Sequence, residues 1–239
     1  QGWVRYLPRG VMAVIAPFNF PGHLPNGHIV PALATGNTIV LKPASHTPGT
    51  GQLIAECIHE AGFPPGVFNL VQVPGRYCDR LVAHKDVDGI LFTGSTAVGQ
   101  HIQAITLDQS WKITALEMGG KNAAIVLDDA HFESSIYEVL TGAFLTSGQR
   151  CTATSRLILQ KGIADRFVDA LARATRSLVV GEQRDVNAFM GPLVDRRAAE
   201  DFQRWQGIAR EEGAEVVVDG GLWDEAPHPG AAYVRPSLA

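Results

Sequence analysis

The sequence predicts an α/β fold built on a parallel sheet, and three observations lead there. Short β-rich apolar runs recur along the first half, at residues 11–16 (VMAVIA), 38–42 (TIVLK), 67–72 (VFNLVQ) and 89–92 (GILF), separated by longer stretches compatible with helices. Strand, long connection, strand is the rhythm of βαβ units, whose parallel strands are covered on both faces. Polar or glycine-bearing motifs stand at the carboxyl ends of these runs, where open α/β sheets gather their ligands. Finally, 46% of the 239 residues are hydrophobic, enough to bury a substantial core in one large domain or two small ones.

The elements follow in order. Over residues 50–62, Leu53, Ile54, Cys57, Ile58 and Ala61 recur at helical spacing and Gly62 supplies the stop. Cys57 falls on that apolar face and is expected to be a packed core thiol. A helix-like stretch opens at Cys78, for which no role suggests itself. Residues 92–99 (FTGSTAVG) follow a strand and lead into a helix from Gln100. A second block begins near Trp111. It reads as a strand over 111–117, a Gly119-Gly120 break, a strand over 122–127, a helix over 132–146 and a strand over 154–160. Helices over 164–179 and 195–212 and a strand over 214–218 complete it. Residues 220–230, with Pro227 and Pro229, have the composition of a surface loop.

Charge and cysteine usage exclude several function classes. Lys and Arg number 20 against 24 Asp and Glu, for a net charge of -4, and no cationic cluster appears, so neither nucleic acid nor an anionic membrane is an expected partner. The apolar runs are far shorter than a bilayer span, and the first residues lack a charged-then-apolar signal pattern. Three separated cysteines without a C-x-x-C spacing argue against a disulfide framework and for a reducing compartment. A soluble cytoplasmic enzyme is the expectation.

Residues 144–155 (FLTSGQRCTATS) surround Cys151 with small, polar and flexible residues and place Arg150 directly before it. Buried structural thiols sit among aliphatic residues, so Cys151 is a candidate nucleophile. The turn from Gly94 to Gly99 is G-x-x-x-x-G, neither a G-x-G-x-x-G fingerprint nor a P-loop. It suits a phosphate near a helix N-terminus and equally a tight strand-to-helix connection. Lys42, at the end of a strand, can meet ribose hydroxyls or phosphate, or be a solvated terminus. Asn19, held between two aromatics and two prolines, can donate to an oxyanion, although Asn is also an ordinary turn residue. Glu117 leaves an apolar strand into Gly119-Gly120; it is either solvated or, partly desolvated, a general base. His23 and His28 stand five apart in a Pro-Gly-rich stretch without a neighbouring carboxylate or thiol, so no metal site is expected. Asp128-Asp129 and Glu211-Glu212 read as helix-capping or solvent-facing charges.

Taken in order and at these separations, PFNFP, VLKPAS, FTGSTAVG, LEMGGK and SGQRCT resemble the NAD(P)-dependent aldehyde dehydrogenase superfamily over essentially the whole chain. The resemblance implies that superfamily's fold: a parallel-sheet dinucleotide-binding domain over 1–118 and part of an α/β catalytic domain over 119–239. It assigns Cys151 as nucleophile, Glu117 as general base and Asn19 as oxyanion donor. Cofactor contacts fall to Phe18, Lys42, Ser45, Gly94, Ser95, Thr96, Ala97, Val98 and Gly99. Ser45 stands where many NAD-specific members carry Glu, so NAD is the implied cofactor with NADP admissible. Residues 19–33 and the form LEMGG at 116–120, with Met118 where most of the superfamily has Leu, look like the subgroup that oxidises succinylglutamate semialdehyde. The implied partner is thus a small dicarboxylate semialdehyde, with Arg150 or Arg156 available to its carboxylates, and the full-length protein is expected to be a homo-oligomer. The superfamily's later Glu-Phe-Gly-Pro motif has no counterpart before Ala239, and both ends read as unfinished. The chain is therefore expected to be an internal piece of a longer protein.

Overall fold

Five of the apolar runs pair into one sheet. In a computed structural model, which describes residues 2–182, 184–223, 228 and 230–239, the chain divides into two units, Gln1–Gly119 and Gly120–Ala239. In the first unit β1 (Val11–Ile15), β2 (Thr38–Lys42), β3 (Phe68–Leu70), β4 (Gly89–Gly94) and β5 (Ile113–Met118) are all parallel, in the order β3-β2-β1-β4-β5. Side chains alternate between the faces with the period of two that strands impose. Met12, Val14 and Ala16 join Ile39 and Leu41 on the face covered by α1 (His23–Ala34) and α2 (Pro48–Glu60). Ala13 and Ile15 join Ile90 and Phe92 on the face covered by α3 (Cys78–Val82) and α4 (Thr96–Thr106).

After β3 the chain crosses to the other side of β1, so the connections leaving β1 and β4 run in opposite directions. That reversal opens a crevice at the carboxyl ends of the two strands, the topological switch point where such sheets bind ligands. Because β5 pairs with β4 from Ile113 onward, residues 111–117 belong to this first sheet and do not open a second block. Lys112, buried just before β5, donates to the carbonyls of Val82 (2.6 Å) and His84 (3.0 Å) and so closes the end of α3.

One expectation needs correction here, and one Pro-Gly-rich stretch takes a definite form. Residues 23–34 form a helix despite Pro25, Gly27 and Pro31. Pro25 falls in the first turn, where its missing N–H has no intrahelical partner to lose, and Pro31 lies near the last turn. Cys57 is exposed, not packed. The spacing does group it with Leu53, Ile54 and Ile58, but their face of α2 is only partly covered, and Leu53 is 59% exposed along a groove between α1 and α2.

In the second unit β6 (Asn122–Val126) pairs in parallel with β7 (Thr154–Leu159). Helices α5 (Phe132–Phe144) and α6 (Ala164–Arg176) close one face over Val126, Val139, Leu140, Phe167 and Leu171. The alternate residues Ile125 and Ile158 are 67% and 50% exposed on the other face. The N-cap of α5 is His131, whose Nδ1 accepts from Ser134 N; Asp128 instead accepts from Gln160 Nε2 at 2.7 Å. Helix α7 (Arg196–Glu211) packs through Ala199 against Val234 of the short antiparallel pair β8 (Gly221–Leu222) and β9 (Val234–Arg235). The strand expected over 214–218 reduces to a single bridge between Val218 and Leu238, because the N–H groups of Val217 and Val218 both donate to the Leu238 carbonyl. Within the loop expected over 220–230, Gly221 and Leu222 are paired, and residues 224–227 and 229 lie outside the described residues. Among the described residues no helix is long and apolar enough to cross a membrane.

Candidate active site

The carboxyl edge of the first sheet collects most of the residues singled out above. Beyond β1, Asn19 is half-buried and its Oδ1 accepts from Phe20 N at 3.1 Å, which stiffens the loop. Phe18 meets His46 edge to face at 6.0 Å between ring centroids, tying this loop to the one after β2. Ser45 is exposed in that second loop. Lys42, the last residue of β2, is only 6% exposed. Among the described residues its ammonium has no hydrogen-bond acceptor, and it lines a cavity of about 410 Å³ with Val71, Val73, Tyr77, Cys78 and Leu81. Burial pushes the Cys78 thiol's pKa up, and the Lys42 charge pulls it part of the way back.

Where β4 ends, Gly94 leads into Ser95, which caps α4 by accepting from Val98 N at 3.4 Å. Thr96, Ala97 and Val98 leave the first turn exposed. Gly99 is buried against β5, and a Cβ there would come within 2.5 Å of Met118 Sδ. The glycine spacing of this turn is thus explained by close helix-to-strand packing, while the solvent-facing N–H groups of α4 remain available to an anion. A nearly buried lysine whose ammonium has no acceptor among the described residues, an open helix N-terminus and the switch point beside β1 stand along one edge of the sheet, groups of the kinds that the hydroxyls and phosphates of a dinucleotide engage.

Glu117 is exposed on β5. Its partner in register on β4 is Thr93, and His28 of α1 reaches Thr93 Oγ1 with Nε2 at 3.2 Å. The half-buried His28 has its pKa lowered by burial, offset in part by the Glu117 charge. The sequence singles out His28 only to set aside a metal site, because the Pro-Gly-rich stretch around it was not placed on a helix face. On a helix, Pro25, His28, Ile29 and Ala32 share one inward face, which is the signal that was available.

In the second unit the chain leaves α5 through Thr146, Ser147 and Gly148, all left-handed with φ of 57°, 55° and 68°. For the two non-glycine residues that conformation costs about 1–2 kcal/mol each. Ser147 Oγ donates to Gly191 O (2.7 Å), and Val194 N donates to Gln149 Oε1 (3.0 Å). Arg150 Nη2 donates to the carbonyls of Thr141 (2.5 Å) and Gly142 (3.2 Å) near the end of α5, a cation at the negative end of a helix. So engaged, Arg150 is not a free cation for substrate, whereas Arg156 is exposed on β7. Asn122, the first residue of β6, donates from Nδ2 to the carbonyls of Cys151 (2.8 Å) and Ala153 (3.2 Å). The outcome is an exposed thiol at Cys151 on a backbone held from several sides. Removing the Asn122 amide in Asn122→Ala is expected to cost about 1–2 kcal/mol of positioning at Cys151, read as roughly a tenfold fall in kcat/KM with unchanged circular dichroism.

Cys151 lies in one unit and Asn19, Lys42 and Glu117 in the other. Among the described residues no group of three or more His, Cys, Asp or Glu is placed to hold a metal ion.

Comparison with known proteins agrees along the whole chain. N-succinylglutamate 5-semialdehyde dehydrogenase of Novosphingobium aromaticivorans is 44% identical over 198 residues, covering 82% of this chain and 42% of that protein. Alpha-ketoglutaric semialdehyde dehydrogenase of Bacillus subtilis is 40% identical over 233 residues, covering 97% and 48%. The structure is similar, with a TM-score of 0.89 and 34% identity, to betaine aldehyde dehydrogenase of Staphylococcus aureus in complex with NAD+, over 96% of this chain and 46% of that one. The chain spans about half the length of the curated relatives it matches. The model of the aldehyde dehydrogenase family matches residues 1–239, and the chain belongs to that family.

Proposed function

We propose that the protein carrying this chain oxidises an aldehyde to a carboxylate with NAD(P), through a thioester on Cys151. The exposed Cys151 thiol, on a loop that Asn122 holds by the Cys151 carbonyl, carries the proposal. The Cys151 thiolate adds to the aldehyde carbon, and the resulting oxyanion accepts hydrogen bonds from the Asn19 amide and the Cys151 N–H. The dinucleotide, when bound, supplies the acceptor for the hydride. Glu117 then takes a proton from water as the water oxygen attacks the thioester, and Cys151 leaves as thiolate. In this scheme residues 1–118 hold the cofactor, through Phe18, Lys42, Ser45 and the turn from Gly94 to Gly99, and residues 119–239 present the thiol.

The proposed substrate is N-succinylglutamate 5-semialdehyde, on the strength of the relative with that name and the residues at 19–33 and 116–120. Steady-state rates with a panel of semialdehydes test it. The succinylglutamate compound is expected to give the highest kcat/KM, and a higher value for α-ketoglutaric semialdehyde would move the assignment. NAD is the proposed cofactor, with NADP also accepted because the exposed Ser45 carries no charge to repel a 2′-phosphate. Ser45→Glu is expected to cut kcat/KM for NADP by about tenfold while changing that for NAD little, as like charges across a binding site disfavour the wrong ligand.

A further inference from the structure

Resting on that reaction, we propose that His28 clears the proton from Glu117 after each thioester hydrolysis, with the Thr93 hydroxyl as conduit. Strand register carries the proposal. Thr93 and Glu117 are partners across β4 and β5, and paired residues of parallel strands project to the same face. That face is the one under α1: Leu91, two residues before Thr93, packs against the cluster that holds Ile29 and Ala32 of α1, whereas Ile90, Phe92 and Leu116 belong to the cluster on the opposite face with α4. His28 descends from α1 onto this pair, with Nε2 at 3.2 Å from Thr93 Oγ1. Thr93 is 8% exposed, whereas Glu117 is exposed.

Hydrolysis leaves Glu117 as a carboxylic acid: water has given one proton to the carboxylate, its oxygen has bonded to the thioester carbon, and the C–S bond has broken to return the Cys151 thiolate. Glu117 must lose that proton before it can act again. A neutral imidazole has one free acceptor nitrogen. When Nε2 is that acceptor, Thr93 passes its own hydroxyl proton to Nε2 as it takes the one leaving Glu117, giving an imidazolium and a restored carboxylate. The imidazolium then releases its other ring proton to solvent from the half-buried edge of His28, and proton exchange with water returns the tautomer in which Nε2 is the acceptor.

The electrostatics agree with this direction of transfer. Burial holds His28 below the ordinary histidine value of about 6.5, so it is neutral near pH 7, and an ionised Glu117 draws a proton back toward it. Of the strands under α1, β1 and β4 carry no ionisable side chain, β2 contributes Lys42, and β5 adds Glu117. The ionisable residues of α2, Glu56, Cys57, His59 and Glu60, are exposed, as is His23 on α1. Among the described residues Glu117 is the charge that acts on His28.

The test follows acyl-enzyme on Cys151 by intact-protein mass after rapid quench, in the full-length protein, with turnover measured in parallel. His28→Gln and Thr93→Val are expected to accumulate the Cys151 acyl adduct and to turn over about tenfold more slowly, while Thr93→Ser keeps the parent rate within about twofold. In the parent, hydrolysis is expected to fall with acid below about pH 6.5, since a protonated His28 accepts nothing, and His28→Gln should lack that limb. Added imidazole should restore His28→Ala, a response that a purely packing role would not give. Parent-like turnover and pH dependence in His28→Gln, or slow turnover without acyl accumulation, overturns the proposal. Absence of any Cys151 adduct, even in Glu117→Gln, instead overturns the thioester reaction on which it rests.

Discussion

Replacing Cys151 with serine is expected to lower aldehyde-dependent NAD(P)H formation by about four orders of magnitude or more. A serine hydroxyl keeps the size and the loop, but it is a far weaker acid than a thiol and a poorer nucleophile without a base to activate it. The backbone anchors explain why fold and cofactor affinity should survive. Asn122 holds the carbonyl of residue 151, not its side chain, and Arg150 points into the end of α5. Initial rates at 340 nm, with dinucleotide affinity by fluorescence titration, check both halves; turnover within tenfold of the parent would remove Cys151 from the chemistry. Labelling by a thiol reagent is the poorer test, because Cys57 is exposed as well.

Glu117→Gln should separate the two halves of the reaction. The amide matches the carboxylate in shape and cannot take a proton from water, so turnover is expected to fall by about 10²–10⁴, the usual contribution of a positioned base. Hydride loss from the Cys151 adduct needs no such base, so one equivalent of NAD(P)H per chain should still form rapidly and then stop. A fall in that first equivalent equal to the fall in turnover would place Glu117 before the thioester, not after it.

The parallel sheet was legible because its strands announce themselves. The run at 11–16 and its successors are continuous apolar segments, as strands covered on both faces must be, and the structure pairs all of them within two residues of the expected limits. What escaped was set by neighbours distant in sequence. Residues 23–34 carry two prolines and a glycine at positions a helix tolerates only because of where they fall in its turns. Val216 to Val218 have strand composition, yet they pair only through Leu238, twenty residues on from Val218, so local propensity overstates the strand. The site divides in the same way. Cys151, Lys42 and the glycine turn stand out by composition, whereas helical spacing can turn His28 inward but cannot tell that it meets Thr93 of β4, which is a fact of packing. Arg150, adjacent to the thiol and a natural choice for a substrate carboxylate, turns inward instead, because the open carbonyls of α5 are nearer.

The left-handed pair Thr146 and Ser147 carries a consequence for how this protein can change. Asparagine tolerates that backbone region better than threonine does, so Thr146→Asn should add on the order of 1 kcal/mol of stability with no new contact anywhere in the chain. Such an easily reached gain, left untaken five residues before Cys151, is the pattern expected where selection holds a loop in tension between robustness and turnover. Variants selected for heat resistance alone should therefore collect substitutions at positions 146 and 147 early, and should lose rate as they do.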